Sequence, residues 1–286
     1  MISPRILRRR IRSVQSTAKI TRAMEMIAIA KMKKAQDHAL AGRPYSDKIS
    51  NLISDLAAGS DKENAFHPLL EKRKTINRIA IVHITSDKGM CGGLNANVNR
   101  LTGNFIIEQN IPVTLITVGK KGLDFMHRSS RDIRAEFTKM NDRPTFMETL
   151  PISHIIIDDY SSYHVDMIYI AYNRFASTMI QTPTIEQLLP IKPTIIPKTE
   201  TTEYIYEPNP QFILEGLLPR FVEMKIYQAM LEAIASEHSA RMLAMRNATD
   251  NANDIIEDLT LTLNKARQEM ITTELLDITG GVEVLH

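Results

Sequence analysis

Two long stretches at the ends of this 286-residue chain contain neither glycine nor proline, and they constrain the fold more than any other feature. They run from Arg5 to Ala41 and from Arg220 to Thr279. In both, small or apolar residues recur at alternating spacings of four and three, the 3.5-residue period of a left-handed coiled coil. At 1.5 Å per residue the N-terminal helix would be about 55 Å long and the C-terminal one about 90 Å. Since globular helices average about 11 to 12 residues, both ends are expected to project from a compact domain.

The two repeats can be followed residue by residue. Alanine, threonine and glutamate make the N-terminal repeat poor in apolar area. The polar positions Gln228, His238 and Thr249 are expected to set register or to mark a wider gap between the helices rather than to bind a ligand. Two separate amphipathic helices packed on a larger core are the simpler alternative. The N-terminal track is Leu7, Ile11, Val14, Ala18, Thr21, Glu25, Ala28, Met32, Ala35, Ala39, and the C-terminal track is Leu217, Phe221, Met224, Gln228, Leu231, Ala235, His238, Met242, Met245, Thr249, Ala252, Ile256, Leu259, Leu263, Ala266, Met270.

The formal net charge of +2 conceals opposite charges at the two ends. Residues 1–45 hold eleven Lys and Arg against two acidic residues, whereas residues 211–286 hold six against twelve. A basic arm is typical of proteins that bind nucleic acid or anionic lipid. Opposite charges on two long helices equally favour helices that pair with each other.

Between these helices the sequence has the alternating pattern of an α/β domain. Apolar runs at 77–85, 111–119 and 165–175 predict strands, and segments near 95–109, 120–128 and 152–160 predict helices. A further strand is predicted at 177–191, where Pro183 favours an edge or a bulge. The expected division is an N-terminal coiled-coil helix over 1–58, a Rossmann-like α/β domain over 75–192 and a C-terminal coiled-coil helix over 208–286.

The stretch SDKGMCGGLN, residues 86–95, follows the first predicted strand, where open α/β sheets usually bind ligands. Its spacing fits neither the dinucleotide fingerprint nor the P-loop, and no acidic residue ends the second strand to hold a ribose. Glycines at such a corner more often serve a positive φ or a close approach. Cys91 is a candidate nucleophile without an assignable base, and a small buried thiol is the simpler interpretation.

Composition excludes several classes of site. Cys91 is the one cysteine, so neither an intramolecular disulfide nor a thiolate cluster can form within the chain. No apolar run approaches the roughly 20 residues of a membrane span, so membrane association is expected only through partners. Five arginines near the start of the chain lead directly into the patterned helix: Arg5, Arg8, Arg9, Arg10 and Arg12. This continuity favours mature protein over a targeting segment.

Six motifs follow one another along nearly the whole chain: IRSVQSTAKITRAMEMIAIAKMKKAQ (11–36), SDKGMCGGLN, YIAYNRF, YIYEP, SEHSARMLAMRNATDNA and LNKARQEMITTELLDITGG. In sequence and in order they resemble motifs of the gamma subunits of bacterial F-type ATP synthases. Lys88 and Met90 depart from the family's more usual Arg and Leu. Residues 104–166 match the family only in their general pattern of apolar and polar residues. The resemblance implies an antiparallel coiled coil that rotates inside a head of alternating alpha and beta subunits, with the α/β domain below it.

The resemblance also assigns contacts by position. Met24, then Lys88 with Cys91, then Arg267 with Gln268, match places where the family's shaft meets beta subunits. A second group matches a patch on the C-terminal helix that packs beside Met24, and a third falls in the segment facing the c-ring. The second group is Arg241, Gln268, Thr272, Thr273 and Glu274, and the third is Tyr204, Tyr206 and Glu207. A solvated helix face or ordinary packing is the alternative for each.

The implied partners are the alpha and beta subunits, the epsilon subunit and the membrane-embedded c-ring, with one copy of the chain per complex. The implied place is the cytoplasmic face of the bacterial inner membrane. We expect no catalytic site, cofactor, metal or nucleic-acid partner. A free-standing nucleotide enzyme and a coiled-coil adaptor carrying an α/β domain are the two rival functions.

Overall fold

The computed structural model describes residues 3–59, 67–191 and 210–283, which form five α-helices, five strands and a short 3-10 helix at Pro68–Leu70. The two long helices open and close this order, as the glycine-free and proline-free stretches predict. In chain order the elements are α1 (Pro4–Gly59), β1 (Ile79–Ile84), α2 (Leu94–Glu108), β2 (Val113–Val118), α3 (Lys120–Arg128), β3 (Asp132–Phe137), α4 (Phe146–Ser161), β4 (Met167–Phe175), β5 (Gln181–Leu189) and α5 (Pro210–Glu283).

The five strands form one sheet in the order β3-β2-β1-β4-β5. β1 lies in the middle, parallel to both β2 and β4, and all six of its residues are buried. β5 pairs antiparallel with β4 at one edge, and Pro183 lies on this edge strand opposite Asn173. The predicted, mostly parallel sheet and the edge position of Pro183 are therefore confirmed.

Alternate residues of β1 enter two separate cores. Val82 and Ile84 pack in a core that includes Ile152 and Ile156 of α4, with residues of α1 and α5. Ile79 and Ile81 point to the other face, where α2 and α3 cover the sheet. Both faces of the parallel strands are thus covered, which is why these strands read as nearly continuous apolar runs.

The chain divides into two units, and both long helices contribute to each. The helical unit comprises Met1–Ala28 and Arg241–His286, and the sheet unit comprises Ile29–Ala240. Within the helical unit the predicted repeat matches burial: Leu7, Thr21, Glu25 and Ala28 of α1 are buried. The opposing track residues Met242, Met245, Thr249 and Ala252 of α5 are buried as well.

Candidate functional site

Beside the glycine-rich corner between β1 and α2, the backbone N–H groups that open α3 already have acceptors in the chain. Asp87 Oδ1 accepts from the Lys120 amide at 2.9 Å, and the Ser86 carbonyl accepts from the Lys121 amide at 3.1 Å. Thr85 Oγ1 accepts from the Gly122 amide at 2.8 Å. A phosphate at the start of α3 would compete with the Asp87 carboxylate for these donors.

The corner is held by its own side chains. Asn95 Nδ2 donates to Ser86 Oγ at 2.7 Å, and Ser86 Oγ donates to the Lys88 carbonyl, also at 2.7 Å. Met90 and Gly92 adopt φ angles of 62° and 58°, which turn the chain sharply before α2 begins. These bonds leave a stiff turn whose glycines serve backbone shape, as the spacing of the motif indicates.

Cys91 lies beneath the surface of this corner. It is 3% exposed and packs in a small cluster with Leu94 and Ala240, and Asn95 Nδ2 lies 3.2 Å from its Sγ. Lys88 and Met90 are exposed, Met90 by 58%. A partner at this corner would therefore meet Lys88 and Met90, whereas the buried thiol of Cys91 supports the turn from below. Met90, noted in the sequence only as a departure from the family pattern, was not among the predicted contacts.

A pocket of about 260 Å³ opens at the carboxyl ends of β1, β2 and β3, where an α/β enzyme would bind its substrate. Its charged lining carries more acid than base, which disfavours an anionic nucleotide. Lys31 binds the Asp142 carboxylate, and this hydrogen bond holds the pKa of Asp142 below its usual value. The lining residues are Thr85, Ser86, Asp87, Lys88, Val118, Gly119, Lys139, Met140, Asn141, Asp142, Met230, Ile234 and Glu237.

His83 lies on β1 close to the corner, and its pKa is strongly lowered by its surroundings. Its ring is 0% exposed, and burial lowers its pKa to about 4. Nε2 lies 2.8 Å from Asn99 Oδ1 and Nδ1 lies 3.1 Å from Thr102 Oγ1, both on α2. A neutral ring with both nitrogens bonded and no access to solvent is a structural group that cannot act as a general base.

In the helical unit, two polar contacts fix the register of α1 against α5. The hydroxyls of Thr21 and Thr249 are 2.7 Å apart, and Arg246 Nε donates to Glu25 Oε1 at 3.0 Å. The earlier residue of α1, Thr21, pairs with the later residue of α5, Thr249, and Glu25 pairs with Arg246. The two helices therefore run antiparallel. Thr249 thus has the register-setting role that its place in the repeat predicts.

Met24 is half-buried on α1, next in sequence to Glu25, which forms an ionic cluster with Arg22 and Arg246. Glu25 is 2% exposed and also accepts from Arg22 Nη1 at 2.9 Å. Sequence reasoning placed Glu25 on the seam of the coiled coil but selected neither it nor Arg22 and Arg246 as functional residues. The signal was nevertheless present, because a glutamate at a seam position of a coiled coil requires a cationic partner.

The predicted contacts near the end of α5 are all exposed. Thr272 and Thr273 hydroxyls donate to the carbonyls of Gln268 and Glu269, both at 2.9 Å, so they form no link to α1. The register set by Thr249 and Arg246 places Gln268 roughly 22 residues beyond the point opposite Met24, or about 33 Å along the helix. The expectation that Gln268, Thr272, Thr273 and Glu274 pack beside Met24 is therefore wrong. In this antiparallel pair, the part of α5 that carries these residues extends past Pro4, the first residue of α1. Arg241, which is buried, lies on the stretch of α5 that is nearer to Met24.

Tyr204, Tyr206 and Glu207 lie outside the described residues. Within the described ranges, no group of three or more His, Cys, Asp or Glu side chains could hold a metal ion. No helix among those residues combines the length and the apolar character that crossing a membrane requires.

Comparison with known proteins gives matches along the whole chain. The sequence profile described as ATP synthase matches residues 3–285. A protein of Dehalococcoides mccartyi strain CBDB1, named ATP synthase gamma chain, is 58% identical over 285 residues, covering 100% of both chains. A protein of the same name from Herpetosiphon aurantiacus is 42% identical over 294 residues, again covering 100% of both.

The fold is similar to chains of solved ATP synthases. A chain in the OSCP/F1/c-ring structure of the Euglena gracilis mitochondrial ATP synthase matches with a TM-score of 0.68 at 20% identity, covering 99% of this chain and 94% of that one. A chain in the central stalk and c-ring structure of the Tetrahymena thermophila enzyme matches with a TM-score of 0.62 at 23% identity, covering 80% and 99%. At such identities the similarity concerns the fold alone.

Proposed function

The chain belongs to the ATP synthase gamma chain family, and from this membership we propose that it is the central rotating shaft of an F-type ATP synthase. The shaft couples ion flow through a membrane c-ring to ATP synthesis and hydrolysis in a head of alpha and beta subunits. The observation that carries the proposal is the full-length identity of 58% with a gamma chain. The antiparallel pairing of α1 and α5, fixed at Thr21 and Glu25, supports it.

A single shaft regulates three sites because it cannot touch three equivalent beta subunits in the same way. Its contacts hold the catalytic sites in different states, and each tenfold difference in nucleotide affinity requires about 1.4 kcal/mol of differential contact energy. A few polar contacts on the helical unit supply energies of this size. The surface for them is present, since Arg267 and Gln268 are exposed on α5. A guanidinium at Arg267 can bind a carboxylate through two parallel hydrogen bonds.

The remaining contacts follow from the same proposal. Met24 and Lys88 face beta subunits, with Cys91 supporting the second contact, and Thr272, Thr273 and Glu274 extend the contact surface of α5. Tyr204, Tyr206 and Glu207 face the c-ring. The epsilon subunit and the c-ring hold the α/β domain, and one copy of the chain serves each complex on the cytoplasmic face of the bacterial membrane, which it meets only through partners. The proposed domains remain 1–58, 75–192 and 208–286.

We propose further that the chain has no catalytic site of its own and needs no cofactor. The proposal is supported by the first amides of α3, beside residues 86–95, which already bond to Asp87, Ser86 and Thr85. The rival nucleotide enzyme predicts nucleotide binding at residues 86–95 by the purified chain. The rival adaptor that binds nucleic acid through its basic N-terminal arm predicts an affinity that falls steeply with salt. The proposed shaft predicts neither, and it predicts co-purification with ATPase subunits.

A reversible cross-link tests rotation directly. Cysteine replaces Arg267 and the facing residue of a beta subunit in the assembled complex, and ATP-driven turnover is measured before oxidation, after oxidation and after reduction. Turnover should stop when the disulfide forms and return when it is reduced. Complexes carrying only one of the two cysteines are the matched controls, and the native Cys91 is buried enough to stay unreacted. Normal turnover with the bond formed would contradict rotation at this contact.

A further inference from the structure

A buried glutamate on the seam of the helical unit has a role that packing does not explain. Glu25 is 2% exposed, although it occupies a position where a coiled coil ordinarily places an apolar side chain. Burying a carboxylate carries a large desolvation cost, and the pair it forms with a cation often does no better than an apolar residue of similar size. A glutamate at this position therefore stabilises the helix pair no more than methionine or leucine would.

The two oxygens of Glu25 are divided between two arginines. Oε2 accepts from Arg22 Nη1 at 2.9 Å, and Oε1 accepts from Arg246 Nε at 3.0 Å. Arg22 comes from α1 and Arg246 from α5, so one carboxylate orients cations from both helices. Each arginine side chain remains about half exposed, at 57% and 50%. Their remaining N–H donors can therefore reach a partner while the carboxylate fixes their direction.

The surface beside this cluster is a shallow groove between the two helices. Its lining includes two cations of α1, Lys19 and Arg22, and one acid of α5, Asp250. With Arg246 added, three cations stand against the buried Glu25 and Asp250, which leaves this surface net positive. The chemistry that complements such a surface is a segment rich in Asp or Glu, because a guanidinium already oriented by one carboxylate still offers donors to a second.

We propose that Glu25 is a positioning residue, which holds the guanidiniums of Arg22 and Arg246 in place to bind a carboxylate-bearing segment of a head subunit. This inference rests on the proposed shaft function. Glu25 itself touches no partner, since its side chain is buried. It acts through the two arginines, whose side-chain entropy and mutual repulsion would otherwise weaken the contact.

Glu25→Met separates positioning from packing. Methionine fills the seam with an apolar side chain and should leave the thermal stability of the assembled complex unchanged or higher, because the two arginines can turn to solvent. Ions pumped per ATP hydrolysed, measured in membrane vesicles, should nevertheless fall about two- to fivefold, the range expected for loss of an exposed ion pair. Arg22→Gln with Arg246→Gln should give a loss of the same size. Adding Glu25→Met to these two changes should lower pumping no further, because Glu25 then has nothing to position.

The controls distinguish the possible failures. Lys33→Gln removes one exposed charge from α1 outside the cluster and should leave pumping unchanged. If Glu25→Met prevents assembly, Glu25→Gln keeps the shape of the side chain but turns an N–H toward one arginine, and it should show the same loss of pumping. Normal pumping by the variants at Glu25, normal pumping by the double arginine variant, or a further loss in the triple variant would each overturn the positioning role. None of these results affects the cross-link at Arg267, which tests the shaft function separately.

Discussion

The buried His83 makes the stability of the chain depend on pH in a way that can be measured. Asn99 Oδ1 only accepts hydrogen bonds, so His83 Nε2 carries the proton and Nδ1 accepts from the Thr102 hydroxyl. Burial lowers the pKa of this ring to about 4 from the ordinary value of 6.5. As pH falls below 6.5 the unfolded chain therefore binds a proton at this position, whereas the folded chain does so only near pH 4.

The sign and size of the effect follow from this difference. Because the unfolded state binds more protons, the free energy of unfolding decreases as pH falls. The stability from the neutral ring is fully present above pH 6.5 and is lost progressively down to about pH 4. The whole pKa difference corresponds to about 3 kcal/mol, and most of it should be lost by pH 4.5. This is a large part of the roughly 5 to 15 kcal/mol that stabilises a typical domain.

Urea unfolding followed by far-ultraviolet circular dichroism at pH 7.5, 6.0 and 4.5 measures the effect in the purified chain. His83→Gln retains a donor and an acceptor but does not titrate, so it should be less stable than the wild type at pH 7.5. Its loss of stability between pH 7.5 and 4.5 should be smaller by about 2 to 3 kcal/mol. His127→Gln, at an exposed position of α3, is the control and should follow the wild type. Parallel pH curves for wild type and His83→Gln would refute the reasoning.

Two further predictions use other parts of the chain. Gly119 has a φ of 92°, and a Cβ there would lie 2.1 Å from the Thr85 carbonyl oxygen, so Gly119→Ala should lower the free energy of unfolding by roughly 3 kcal/mol or more. Gly216→Ala, where a Cβ meets nothing within 4 Å, should raise it by about 0.5 to 1 kcal/mol, and equal effects at the two glycines in the same urea assay would contradict the argument. Met24→Lys should lower ions pumped per ATP more than it lowers folding of the chain, whereas Met147→Lys, at a 71% exposed position of α4, should change neither. A Met24→Lys complex with normal pumping would remove Met24 from the contact surface.

Much of the fold could be predicted because its patterns are long or strongly apolar. The seam positions Leu7 and Ala28 could be identified from the 3.5-residue repeat alone, and both are buried. β3 was missed, since Asp132, Arg134 and Glu136 alternate with partly buried residues on an edge strand and leave no apolar run to detect. α4 begins at Phe146, six residues before the predicted start, because Thr145 and Glu148 form a capping box that was present in the sequence but was not used.

The candidate contacts could be predicted less well, because they depend on register across more than 200 residues of sequence. A heptad repeat shows which residues of one helix face inward, but it does not show which residue of the other helix lies opposite. Glu25 is assigned its partner Arg246 only by three-dimensional pairing. The same missing information led to the error of placing Gln268 beside Met24. Whether Cys91 lies at the surface likewise depends on α5, since Ala240 packs against it.

The start of α3 is held against the end of β1 by oxygens of the chain itself. Asp87 places a carboxylate where the helix dipole favours negative charge, a contribution of about 0.3 to 1 kcal/mol that does not depend on any ligand. The tight approach of Gly119 to Thr85 brings the other α3 amides within reach of oxygens from the β1 corner. Because the chain's own oxygens satisfy these donors, an anion at the start of α3 would have to displace them. The closeness of α3 to the end of β1 therefore stiffens this corner and disfavours an anion at the start of α3.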